Sequence, residues 1–122
     1  MRVSRVLLDA GAVRAAALED IEFEPVAEVA GEAVAGVSTA QLEFAEHGAV
    51  HLVRIAAGGR FPMHTGPESG FVVVVEGAGT LLLPGDARVA YRAPELFLFA
   101  PDTLHSWSEV TADTLMAACI VR

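Results

Sequence analysis

Two short runs do most to decide what this chain can fold into. Phe71-Val72-Val73-Val74-Val75 and Leu96-Phe97-Leu98-Phe99 contain no polar residue, and Gly or Pro fences each within a few positions. Runs this short, rich in Val and Phe and bounded by turn residues, read as strands covered on both faces. Other strand-like segments surround them. Val37 to Glu46 and Ala49 to Ala56 flank a Glu-His-Gly break. Gly77-Ala78-Gly79 is expected to turn the chain into Thr80 to Leu83, and Pro84-Gly85-Asp86 to turn it again into Ala87 to Arg92. Pro101-Asp102 stops the run at Leu96 to Ala100, and His105 to Val110 and Thr114 to Val121 complete the set. Short strands at this spacing predict an all-β antiparallel sandwich or barrel, one domain over residues 1–122. Residues 12–20, rich in Ala and Leu, predict a short helix near the N-terminus.

Hydrophobic residues make up 53% of the chain against 20% charged, which calls for a second buried surface besides the core, such as a homodimer interface. The net charge of −8 is uneven: residues 15–53 carry eight acids and no base. Phosphate backbones need clustered bases, so nucleic acid is not an expected partner. The stretch from Ala33 to Leu42 is the longest free of charged residues, far short of a membrane span. Asp9 and Arg14 interrupt any apolar export segment, and the single Cys119 cannot form an internal disulfide, so the expected compartment is the reducing cytoplasm. Cys119 sits among Ala117, Ala118, Ile120 and Val121 and reads as a buried, inert thiol.

Residues 58–79 and 94–109 together resemble the two motifs of the cupins, the small jelly-roll barrels also described as double-stranded β-helices. The first motif, G-x5-H-x-H-x3-E-x6-G, finds Gly58, His64 and Gly77 at its spacing, followed by Glu76-Gly77-Ala78-Gly79. In the second, G-x5-P-x-G-x2-H-x3-N, His105 takes the histidine's place and Pro101-Asp102 stands near the usual P-G. The resemblance implies a divalent metal, Zn, Fe, Mn or Ni, held by His64 and His105; it indicates no organic cofactor. Gly66 stands at the second histidine's place and Gly70 at the glutamate's, Pro94 replaces a glycine, and Glu109 stands where Asn is usual.

A useful transition-metal site needs at least three protein donors, so another carboxylate has to fill in. Glu68 is the first candidate, on a loop freed by Gly66 and Gly70. Glu109 is the second: in an extended chain His105, Trp107 and Glu109 share one face, which would line a ligand pocket together with Gly66 and Gly70. His51, sharing a face with Val53 and Ile55, is a distant third. Arg54 and Arg60 bracket Gly58-Gly59 and read mainly as surface charges. The expected function is binding of a small molecule, and of a divalent metal, through His64 and His105. An alternative is a metal-dependent enzyme of dioxygenase or isomerase type that uses both histidines and a carboxylate. A further alternative is a metal-free dimeric binding or scaffold protein.

Overall fold

Ala10 and Gly11 both take left-handed backbone angles, φ 49° and 81°, the signature of a two-residue hairpin turn. The computed structural model, which describes residues 1–65 and 69–121, accordingly starts with a β-hairpin and continues almost entirely as strand. The strands are β1 (Ser4–Asp9), β2 (Ala12–Ala17), β3 (Glu24–Pro25), β4 (Glu28–Val29), β5 (Glu32–Ala33), β6 (Val37–Ala45), β7 (Gly48–Ile55), β8 (Phe61–His64), β9 (Ser69–Leu83), β10 (Ala87–Arg92), β11 (Glu95–Phe99) and β12 (His105–Val121). The expected helix is therefore a strand. The turn sets Asp9 opposite Ala12, and the ladder that follows overrides the intrinsic preference of the Ala run. Ala30 and Gly31 repeat the device between β4 and β5.

The main sheet is antiparallel, ordered β10-β9-β12-β7-β6-β3, with β11 also on β9 and β8 also on β12. Two long strands make it wrap. The C-terminal part of β12 runs between β7 and the first half of β9, while its N-terminal part pairs with β8 and the second half of β9. Register shifts between Ser108 and Met116 take up the bend. Gly77-Ala78-Gly79 consequently does not turn the chain; it lies inside β9. Its glycines provide clearance. A Cβ on Gly77 would collide with Thr114 and with the Asp113 carbonyl, and one on Gly79 would strike the Tyr91 ring. Into that space goes the buried Tyr91, whose hydroxyl is 2.8 Å from Thr114 Oγ1.

The core gathers Val37, Val53, Ile55, Val72, Val74 and Met116 with Leu81, Tyr91, Trp107 and Val110. Strand β11 is covered on one face only: Phe97 and Phe99 turn inward, while Leu96 and Leu98 are 57% and 78% exposed. No helix among the described residues is long and apolar enough to cross a membrane.

Candidate functional site

Strands β8 and β12 bring His64 and His105 directly opposite one another. Opposed residues of an antiparallel pair have close Cβ atoms, and here the two imidazole centroids are 4.3 Å apart. Each ring is tied back to its own strand. His64 Nδ1 lies 2.8 Å from the Pro62 carbonyl oxygen, and His105 Nδ1 lies 3.1 Å from that of Thr103. A carbonyl can only accept, so Nδ1 carries the proton in the neutral ring and Nε2 keeps its lone pair. Burial lowers the pKa of both histidines against the opposing pull of those carbonyls, and His64 lowers that of His105 further. Both are neutral at neutral pH.

Aromatic rings frame the pair. Phe61 packs against His64 at 4.5 Å, and Phe99 stacks on His105 at 4.3 Å and 30°. Trp107 stands edge-on to His105 and to Phe97, so it is both core filling and cavity wall. These side chains open onto a cavity of about 280 Å³ that His51, Val53, Val72 and Met116 also line. Among the described residues, none of the lining side chains is an Asp, Glu, Arg or Lys. Cys119 also lines it, and burial pushes its thiol pKa up, which keeps it protonated.

His64, His105, Trp107 and Gly70 thus come together at one cavity. Glu68 and Gly66 lie outside the described residues. Glu109 is not brought to this cavity. Its backbone leaves the extended region, with φ 48°, within the bulged part of β12, and the alternation that grouped it with His105 and Trp107 breaks there. Its carboxylate instead pairs with Arg88 and accepts a hydrogen bond from Thr80, and these contacts hold its pKa below the usual range. Gly70 has a packing reason of its own: a Cβ there would sit 2.7 Å from the Cys119 carbonyl oxygen. Arg54 stacks over Phe23 at 3.9 Å and Arg60 pairs with Glu32, so neither reaches the cavity.

Measured against a divalent ion, the described residues fall short. Two imidazole nitrogens are two donors, and no His, Cys, Asp or Glu among the described residues joins them in a group of three. Phe61 and Phe99, which no motif singles out, and His51, the third metal candidate, also line the cavity. His51 lies opposite Ala118 on the inner face of β7, and its Nε2 is buried with no hydrogen-bond partner among the described residues. Phe99 was legible as the inward partner of Phe97, two residues apart on one strand.

No family model and no curated protein matches the sequence. Solved structures do match. A cupin domain of Cnp3 from Schizosaccharomyces pombe superposes at a TM-score of 0.70 with 10% identity, covering 98% of this chain and 86% of that one. A protein described as a predicted oxalate decarboxylase from Thermotoga maritima gives 0.71 with 19% identity over 84% and 93%. The polyketide cyclase RemF from Streptomyces resistomycificus gives 0.70 with 17% identity over 84% and 74%. At such identities the likeness speaks for the fold, which is the cupin barrel.

Proposed function

We propose that this cupin-fold chain is a binding protein that holds a small, neutral, largely apolar molecule in its barrel cavity. The Nε2 lone pairs of His64 and His105 are the anchors. One observation carries the reading: both Nδ1 atoms are tied to backbone carbonyls, which fixes two adjacent acceptors in an aromatic cavity. Apolar walls with a few placed polar groups are what small-molecule sites use, and the absence of lining charges among the described residues favours a neutral occupant. The neighbours do not select a reaction. One is a cyclase and another a predicted decarboxylase, and one fold hosts many chemistries.

A second reading has its own support. Metal-bound imidazoles usually donate their other N–H to a carbonyl or carboxylate, as these two do. In that reading Glu68 completes a centre for Zn, Fe, Mn or Ni. Metal analysis of untagged protein purified without chelator separates the two. The binding reading expects metal well below one equivalent per chain and no thermal shift with added divalent ions. Near-stoichiometric metal, lost in both His64→Ala and His105→Ala, would replace it with a metal centre.

Pairing of two copies belongs to the same proposal. The exposed area of 7431 Å² exceeds the roughly 6,300 Å² expected of a compact monomer of this mass. Val6, Leu8 and Val13 are each more than 70% exposed on the outer face of the β1–β2 hairpin. Register relates the sheet face beneath that hairpin, through Ala117 and Val73, to the exposed Leu96 on β11. A second copy is the occupant we assign to these surfaces. Sedimentation at twice the chain mass is the expected result; a monomer at high concentration would contradict it.

A further inference from the structure

Three imidazoles line the barrel cavity, and they differ in what a ligand can reach. His51 Nε2 is sealed and has no hydrogen-bond partner among the described residues. The Nε2 atoms of His64 and His105 have no partner among those residues either, yet they are not sealed. Their ring faces are taken up. Phe61, His64, His105 and Phe99 form one row, with successive centroids 4.5, 4.3 and 4.3 Å apart. Each imidazole of the pair packs against two other rings and ties its Nδ1 to a carbonyl, so what remains for a ligand is its Nε2 edge. That edge accepts and does not donate, because the ring proton is on Nδ1. Other lining side chains add little donor capacity. Thr103 directs its hydroxyl proton to the Ala100 carbonyl oxygen at 2.8 Å, the Cys119 thiol is a weak donor, and Thr65 is exposed.

We infer that the ligand is a small phenol, one or two flat rings carrying a hydroxyl that donates to the His64–His105 pair. This inference rests on the binding reading above and narrows it to a ligand class. An acceptor-only pair selects a donor: an ether or ketone would set lone pair against lone pair and leave the imidazole nitrogens desolvated and unmatched. A carboxylate would meet the same lone pairs and find no lining cation among the described residues. The walls decide between a phenol and an aliphatic alcohol. Phe61, Phe99 and Trp107 line the cavity, and aromatic pairs contribute beyond the area they bury. Size sets the ring count, since about 280 Å³ lies at the small end of ligand pockets.

Calorimetric titration in chelator-containing buffer tests each part, with 1-naphthol, 1-methoxynaphthalene, 1-naphthoate and decahydro-1-naphthol as probes. In wild type, 1-naphthol should bind about tenfold tighter than 1-methoxynaphthalene, which has the same rings and can only accept. It should bind about fivefold tighter than decahydro-1-naphthol, which keeps the donor and lacks the aromatic faces. The anionic 1-naphthoate should bind weakest of the four. In the His64→Leu, His105→Leu double variant the advantage of 1-naphthol over its methyl ether should fall to about onefold. The wild-type ranking tests the class without any substitution. Methyl ether or naphthoate binding as tight as that of 1-naphthol would overturn the donor requirement, and equal binding of decahydro-1-naphthol would overturn the aromatic one; each leaves the binding reading standing. A hydroxyl advantage that persists in the double variant would place the hydroxyl away from the pair and overturn the inference. Binding of none of the four probes would remove the binding reading and this inference together.

Discussion

The inner and outer faces of the same strands are both apolar, and they differ in the polar groups set among the apolar side chains. On the inner face, β8 and β12 end the apolar lining with two imidazoles locked to backbone carbonyls. On the outer face, Leu42, Val50, Leu52 and Ala117 lie under the β1–β2 hairpin. The Arg5 guanidinium ties that hairpin to the Glu43 carbonyl at 2.9 Å. A surface with oriented, desolvated polar atoms can discriminate between occupants; one with apolar side chains alone can only be covered. The hydrophobic excess of the sequence thus divides into a part suited to recognition and a part suited to packing.

Substitutions can break or sharpen this contrast. The largest effect should come from Trp107→Ala on the inner wall, a loss of about 3–5 kcal/mol in urea unfolding followed by circular dichroism. A loss below about 1 kcal/mol would mean the inner wall is not packed as described. Gly70→Ala should cost about 1–3 kcal/mol, because the added Cβ meets the Cys119 carbonyl oxygen at 2.7 Å. An unchanged midpoint would deny that close approach.

The histidine pair predicts a pH effect of definite sign. Both imidazoles have folded-state pKa values lowered from 6.5, so on acidification the unfolded chain takes up protons first. Their contribution is present above 6.5 and is lost as pH falls through the lowered folded values. Melting temperature should therefore drop from about pH 7.5 to about pH 5.5, and less steeply in a His64→Phe, His105→Phe double variant. Equal slopes in the two proteins would contradict the assignment. On the outer face, Leu8→Ser should change single-chain stability by no more than about 0.5 kcal/mol while weakening any self-association seen by sedimentation. Glu109→Gln should be smallest of all. Its carboxylate is exposed and faces Arg88 away from the cavity, so probe binding and melting temperature should stay at wild-type values.

What could be read from the residues depended on whether a local rule was in control. The runs at Phe71 and Leu96 announced strands because no other element buries such short apolar stretches so well. His64 and His105 were legible as a pair through motif spacing, and their register in the sheet brings the rings together. Other features were decided by tertiary contact. Gly77 and Gly79 looked like a turn; their small size instead clears Thr114 and Tyr91 where strands cross. The alternation from His105 to Glu109 failed at a bulge that no sequence period encodes. The Ala run at residues 12–20 followed its two-residue turn rather than its helix propensity. His51 had the correct parity, but the isolation of its Nε2 depends on what β12 and β9 place around it.

The most direct test of the cavity account is titration of the wild-type protein with 1-naphthol in chelator-containing buffer, read by Trp107 fluorescence. Saturable quenching that disappears in the His64→Phe, His105→Phe double variant is the predicted result. Quenching that appears only after a divalent ion is added back, or that is the same in the double variant, would contradict it.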